Sequence, residues 1–66
     1  MQVILNGEPH PFNPPLTIGQ LVEQLALQGK RIAIEQNGEV VPRSQHHVTL
    51  LNVDDRIEII IAVGGG

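Results

Sequence analysis

The sequence has no cysteine, a single aromatic residue (Phe12), and only four lysine or arginine residues against seven aspartate or glutamate residues. Without cysteine there can be no disulfide bond, no thiolate metal ligand and no cysteine nucleophile. Proteins that bind nucleic acid generally present a basic surface and often stack bases on aromatic rings. The net charge of −3 and the near absence of aromatic rings therefore argue against a nucleic-acid partner.

The sequence also lacks a long apolar segment. Its longest apolar run, residues 59–63, is far too short for a bilayer, which takes about 20 residues to cross. The first residues lead directly into a turn at Asn6, without the basic region and apolar stretch of a secretory signal. We therefore expect no membrane association and a cytoplasmic location. The 66 residues suffice for one small domain with a single core.

Two Asn-Gly pairs predict two β-hairpins. Asn6-Gly7 and Asn37-Gly38 both suit a type I′ turn, which needs positive φ at its two central residues. The first turn joins strands over 1–6 and 8–12, and prolines confine the second of these strands to a sheet edge. The second turn joins strands over 32–36 and 39–41. The most apolar strand, 56–61, is expected in the centre of the sheet.

One helix is predicted between the two hairpins. Thr17 is a good N-cap, and Gln20 completes a capping box with it. Gly29 is placed to end the helix after about three turns, and Lys30 and Arg31 suit the negative end of the helix dipole. The apolar stripe that must face the sheet follows the spacing i, i+3, i+4, i+7 and consists of Ile18, Leu21, Val22 and Leu25.

The order hairpin, helix, hairpin, short element and strand predicts an α+β protein. A mixed sheet of four or five strands would wrap one main helix, which is the ubiquitin-like β-grasp arrangement. A right-handed crossover through the helix predicts that the third strand is parallel to a neighbour. The domain would span residues 1–62, with 63–66 as a flexible C-terminal glycine tail. Residues 48–51 fit either a short strand or a turn of helix.

Alternation along the strands places Ile4 and Ile60 on the sheet face away from the helix. Two aliphatic side chains on adjoining strands near the tail could form a partner-docking patch. Equally, they could be ordinary exposed aliphatic residues, which are common on protein surfaces.

Three groups of polar residues have competing interpretations. His46 and His47 could bind a metal ion, but adjacent histidines lack the i, i+4 spacing that puts two imidazoles on one helix face, so a solvated loop is favoured. Asp54 and Asp55 could be an acid pair, but their surroundings favour a turn. Arg43 could steer an acidic partner surface or could simply be solvated.

The chain ends in three glycines, Gly64, Gly65 and Gly66, which follow Val63. Glycine accepts backbone conformations that other residues cannot, and four extended residues reach roughly 13 Å. Such a tail could thread into another protein's active site and present the Gly66 carboxylate as an acyl group. The alternative is a frayed chain end.

Taken together, three segments resemble the sulfur carrier proteins of thiamine thiazole biosynthesis, the ThiS family. These segments are residues 37–44 (NGEVVPRS), residues 55–60 (DRIEII) and the Gly65-Gly66 end. The resemblance covers essentially the whole chain. It departs at Asp54, where such carriers usually have glycine, but aspartate tolerates the left-handed region better than most residues. We therefore expect this turn to be kept.

The resemblance implies a carrier protein and not an enzyme, a monomer when free, with no catalytic residue, bound cofactor or metal of its own. An E1-like adenylyltransferase would adenylate Gly66 with ATP. A cysteine desulfurase or another persulfide donor would supply the sulfur of a Gly66 thiocarboxylate, and thiazole synthase would receive that sulfur. In the partner complexes, Gly64 and Gly65 would thread into active sites, and the docking residues would be Ile4, Ile60, Val63 and Arg43.

Other functions stay open on the sequence alone. A carrier for molybdopterin synthesis would use the same tail, as would a ubiquitin-like modifier, which would form amides with lysines. A small β-grasp binding module with a frayed end belongs to a different class of function.

Overall fold

The computed structural model describes residues 1–62. In chain order, the elements in this range are β1 (Gln2–Leu5), β2 (Glu8–Pro11), α1 (Ile18–Gln24), β3 (Ile32–Gln36), β4 (Glu39–Val40), a 3₁₀ helix (Arg43–Gln45) and β5 (Arg56–Ile61). The strands form one five-stranded sheet in the order β2-β1-β5-β3-β4. The predicted α+β, ubiquitin-like β-grasp fold is confirmed.

The strand β5 lies in the centre of the sheet, as predicted. It pairs in parallel with β1 and antiparallel with β3. The prediction that the third strand is parallel to a neighbour is wrong, because β3 is antiparallel to both β4 and β5. The crossover through α1 joins β2 to β3, which are not adjacent because β1 and β5 lie between them, and the parallel pair is β1 with β5.

Both hairpin turns have the predicted backbone conformation. Asn6 and Gly7 have φ values of 49° and 84°, and Asn37 and Gly38 have values of 53° and 85°. The proline-containing strand β2 lies at one edge of the sheet, as predicted. The two Asn-Gly turns therefore connect the edge strands of the sheet, β2 and β4, to their neighbours β1 and β3.

The helix α1 begins as predicted. The side-chain oxygen of Thr17 accepts a hydrogen bond from the Gln20 N–H at 3.1 Å, and Gln20 Oε1 accepts one from the Thr17 N–H at 2.8 Å. These two bonds complete the predicted capping box, so two N–H groups at the start of the helix have acceptors.

The helix ends earlier than predicted, after about two turns. Ala26 adopts a left-handed conformation, with φ of 58°. Its N–H donates to the Glu23 carbonyl, and the Leu27 N–H donates to the Val22 carbonyl, which is a Schellman motif. Leu27 then packs against the core. The prediction that Gly29 ends the helix is wrong, because Ala26 turns the chain three residues sooner and brings the partly buried Leu27 against the core.

The core lies between α1 and the sheet. Residues 46–51 run beside the start of the helix, where the Ile18 N–H donates to the Thr49 carbonyl at 2.9 Å, and they contribute Leu51 to the core. Residues 48–51 form neither a strand nor a turn of α-helix; Leu50 makes one isolated bridge with Thr17. The buried apolar side chains are Val3, Phe12, Leu16, Ile18, Leu21, Val22, Ile34, Leu51, Ile57 and Ile59.

No helix within residues 1–62 is both long enough and apolar enough to cross a membrane.

Candidate functional site

The predicted acceptor residue and its tail lie outside the described residues. Gly66, Gly65, Gly64 and Val63 all follow Ala62, the last residue that the structure describes. The Ala62 N–H donates to the Arg31 carbonyl at 2.9 Å. The point at which residues 63–66 begin is therefore fixed beside the start of β3.

The predicted docking residues Ile4 and Ile60 share the sheet face away from α1 but are not neighbours. Ile4 lies opposite Arg56 on β5, so Ile60 is four residues farther along that strand, or about 13 Å at the rise of a β-strand. Ile60 is 58% exposed, whereas Ile4 is partly buried. Ile60 is therefore the nearer of the two to Ala62, and the two side chains would contact separate parts of a partner.

Ile60 has an apolar neighbour on the adjacent strand β3 and a charged neighbour on its own strand, β5. Ala33 lies directly opposite Ile60 and is also exposed. Two residues earlier on β5, Glu58 lies opposite Glu35 on the same face. Like charges directly opposite each other repel and destabilise a strand pair slightly. A small apolar area around Ile60 therefore borders a locally negative one.

The third described docking residue, Arg43, lies at the same end of the sheet as Ala62. Its Nη2 donates to the Lys30 carbonyl at 3.3 Å, and the carbonyl of the next residue, Arg31, accepts from the Ala62 N–H. The sequence predicted Lys30 and Arg31 only as cations near the helix end. A signal for their true position was present, because a Lys-Arg pair directly precedes β3, whose first residue lies opposite the last residue of β5.

The two adjacent histidines have different surroundings. His46 is partly buried, and its Nε2 lies 2.9 Å from the Val41 carbonyl oxygen, while His47 is exposed. Within residues 1–62, no three histidine, cysteine, aspartate or glutamate side chains are grouped so that they could hold a metal ion.

The two aspartates form a turn, as favoured from the sequence. Asp54 has φ of 64°, so the turn is kept although glycine is absent. Asp55 is buried and accepts hydrogen bonds from Gln36 Nε2 at 2.9 Å, Asn37 Nδ2 at 2.9 Å and the Asn52 N–H at 2.8 Å. Burial by itself raises the pKa of this carboxyl, but the three hydrogen bonds outweigh burial and hold the pKa below its ordinary value.

The asparagines of the two hairpin turns have a second role that their sequence signal does not show. Asn6 Oδ1 accepts from the Ile59 N–H at 2.8 Å, and its Nδ2 donates to the Ile59 carbonyl at 3.3 Å. Asn37 Oδ1 accepts from the Arg56 N–H at 2.9 Å. Both turns are therefore tied to the central strand that leads to Ala62.

Comparison with known proteins gives one consistent family. The profile of the ThiS family matches residues 3–66. The crystal structure of the thiamine biosynthesis protein ThiS from Geobacter metallireducens superposes with a TM-score of 0.83 at 29% identity, covering 100% of both chains. A protein named ycf40 from Porphyra purpurea is 39% identical over 66 residues, which is all of this chain and 93% of that protein.

A further relative is much longer than this chain. The thiazole synthase of Paramagnetospirillum magneticum is 33% identical over 66 residues, which is all of this chain but only 20% of that protein. With the fold, both hairpin turns and the matched span in agreement, the family resemblance read from the sequence is confirmed, and the chain belongs to the ThiS family.

Proposed function

We propose that the protein is a sulfur carrier in the biosynthesis of the thiamine thiazole. The observation that carries this proposal is that the family match runs from residue 3 through residue 66, so it includes both the folded domain and the glycine end. The full-length match to a thiamine biosynthesis protein supports the same pathway.

The chemistry would take place at the Gly66 carboxylate. A carboxylate is a poor electrophile, so an E1-like adenylyltransferase would first join it to AMP from ATP and release pyrophosphate. The outer sulfur of a persulfide, supplied by a cysteine desulfurase or another donor, would then attack the acyl carbon and displace AMP, which leaves an acyl disulfide. A second thiol of the partner proteins would cleave that S–S bond, form a disulfide with the donor sulfur, and release Gly66 as a thiocarboxylate. Glycine leaves the acyl carbon open to attack because it has no side chain beside it.

Thiazole synthase is the proposed recipient of this sulfur. A relative named thiazole synthase contains a segment similar to all of this chain, and that segment makes up 20% of its length. A carrier and a synthase joined in one polypeptide is what we expect if the two act on the same intermediate.

The folded domain would supply position and not catalysis. Gly64 and Gly65 would lie in the narrow entrance of each partner's active site, and Ile4, Ile60, Val63 and Arg43 would contact the partner surface. The catalytic groups would belong to the partners, and ATP would be bound by the activating enzyme. We place this carrier in the cytoplasm, as a monomer when free.

Exchange between ATP and labelled pyrophosphate, catalysed by the activating enzyme in the presence of the carrier, tests the proposal. Deletion of Gly66 should abolish exchange. It should leave the thermal unfolding temperature nearly unchanged, because the buried apolar side chains found within residues 1–62 already form a core between Val3 and Ile59. Exchange that persists after the deletion would overturn the proposal, and equal unfolding temperatures exclude misfolding as the cause of a loss.

A further inference from the structure

We propose that three cations at the end of the sheet where residues 63–66 begin dock an acidic surface that surrounds the entrance of the activating enzyme. We call Lys30, Arg31 and Arg43 the basic patch. This inference rests on the proposed function, because its partner is the enzyme that would receive residues 63–66.

One main-chain and one side-chain hydrogen bond hold the basic patch together beside Ala62. The Arg31 carbonyl accepts from the Ala62 N–H at 2.9 Å, and the Lys30 carbonyl accepts from Arg43 Nη2 at 3.3 Å. All three patch residues are exposed. Arginine has five N–H donors, so after its bond to Lys30 the Arg43 side chain keeps its charge and further donors for a partner carboxylate.

A shallow pocket of about 170 Å³ adjoins the patch. Lys30, Arg43 and His46 line it together with the apolar side chains Val22 and Leu27. A partner carboxylate that enters here would meet cationic groups while its methylene stem contacts apolar surface, so the patch also has a recess in which an acidic side chain can be held.

Most of the acidic residues lie toward the opposite end of the sheet. Leu5 lies opposite both Glu8 and Ile57, and Gln36 lies opposite both Glu39 and Ile57. Six of the seven acidic residues are therefore near residues 54–58, about 13 Å or more along β5 from Ala62. They are Glu8, Glu35, Glu39, Asp54, Asp55 and Glu58.

The fold thus separates charge within a chain whose net charge is −3. Three of the four lysine and arginine residues lie at the end of the sheet beside Ala62, and six of the seven acidic residues lie toward the other end; the seventh, Glu23, is on α1. A negative partner surface would attract the end of the sheet beside Ala62 and repel the end that carries the acidic residues. Such a distribution orients the protein during approach and raises the association rate in a salt-dependent way. The occupant that fits is a surface rich in aspartate and glutamate.

The matched pair of variants is Arg31→Gln and Arg56→Gln. Each removes one positive charge. The main-chain carbonyl of residue 31 can still accept from the Ala62 N–H, and the main-chain N–H of residue 56 can still donate to Asn37 Oδ1. Arg56 lies at the start of β5, so it is six residues, or about 20 Å, from Ala62. A double variant, Lys30→Gln with Arg31→Gln, enlarges the effect, and thermal unfolding checks that each variant is folded.

The association rate constant with the activating enzyme is measured by stopped flow at several ionic strengths. At about 20 mM ionic strength, we expect Arg31→Gln to slow association about threefold and the double variant about tenfold. Arg56→Gln should leave the rate unchanged or lower it only slightly. At about 0.5 M, where the Debye length is only about 4 Å, the differences should largely disappear.

Adenylate formation by the unmodified chain is measured in the same samples, so that the two proposals can fail separately. If the adenylate forms but Arg56→Gln slows association as much as Arg31→Gln, or the rates do not depend on salt, the basic patch does not dock an acidic surface. If no adenylate forms, the proposed function is wrong, and this inference fails with it.

Discussion

Replacing Asp55 by asparagine tests how the central strand is held to its neighbours. In Asp55→Asn, the remaining oxygen can occupy the Oδ2 position and keep the bonds from Gln36 and Asn52. The new amide group then faces the Nδ2 donor of Asn37, where Oδ1 now accepts at 2.9 Å. Asn37 cannot reverse its amide without loss, because its own Oδ1 accepts from the Arg56 N–H. One donor therefore loses its acceptor.

The size of this effect follows from the charge and burial of the acceptor. A hydrogen bond to a charged group contributes about 1.5–3 kcal/mol to stability, so Asp55→Asn should cost about 2 kcal/mol at neutral pH. In a domain of this size, 1 kcal/mol corresponds to about 4–8 °C in Tm. We therefore expect Tm to fall by roughly 8–16 °C. This is a large part of the total stability of a 66-residue chain, which is about 3–10 kcal/mol.

The stability difference should also depend on pH. The pKa of Asp55 is lower in the folded protein than the ordinary value of an aspartate, so the ionised form is favoured by folding. Its contribution to stability is fully present above the unfolded-state pKa and is lost as the pH falls through the folded-state pKa. The gap between the unmodified chain and Asp55→Asn should therefore narrow as the pH falls from about 5 to below 3.8.

Thermal unfolding followed by circular dichroism, at neutral pH and through this acidic range, measures both effects. Asp54→Asn is the matched control, because Asp54 is exposed and asparagine tolerates its φ of 64°. We expect that control to stay within about 0.5 kcal/mol of the unmodified chain. Equal losses of Tm in the two variants, or a gap for Asp55→Asn that does not narrow in acid, would refute the reasoning.

Three further predictions concern the helix and the outer sheet face. Ala26→Gly should stabilise the domain by about 1 kcal/mol in urea unfolding, because glycine removes the cost of the left-handed conformation; a loss of stability would count against the helix end described here. Thr17→Ala should cost about 1 kcal/mol in the same assay through loss of the cap, and no loss would show that the cap is dispensable. Ile60→Glu should weaken binding to the activating enzyme about tenfold in a calorimetric titration, whereas Val53→Glu, at a similarly exposed position, should not. Equal affinities would remove Ile60 from the docking surface.

The parts of the fold that local chemistry decides were predictable from the sequence. The Asn-Gly turns at residues 6–7 and 37–38 and the capping box of Thr17 and Gln20 have the conformations expected. In each case one or two side chains determine the backbone of their own neighbourhood. The central position of β5 also followed from sequence, because that strand is the most apolar in the chain.

The parts that depend on distant contacts were not predictable. The helix ends at Gln24, and Ala26 then turns the chain so that Leu27 packs on the core, which leaves no local signal comparable to Gly29. The separation of Ile4 from Ile60 depends on the register of β1 against β5. The basic patch had no signal as a group, because Arg43 reaches Lys30 across thirteen residues of sequence.

Whether Gly66 carries sulfur is measured most directly by intact-mass spectrometry of the chain after incubation with ATP, the activating enzyme and a persulfide donor. We predict a gain equal to the exchange of one oxygen for one sulfur, located at Gly66 by fragmentation and absent when ATP is left out. An unchanged mass would contradict a carrier function for this chain, and a series of conjugates on the lysines of other proteins would indicate a modifier instead.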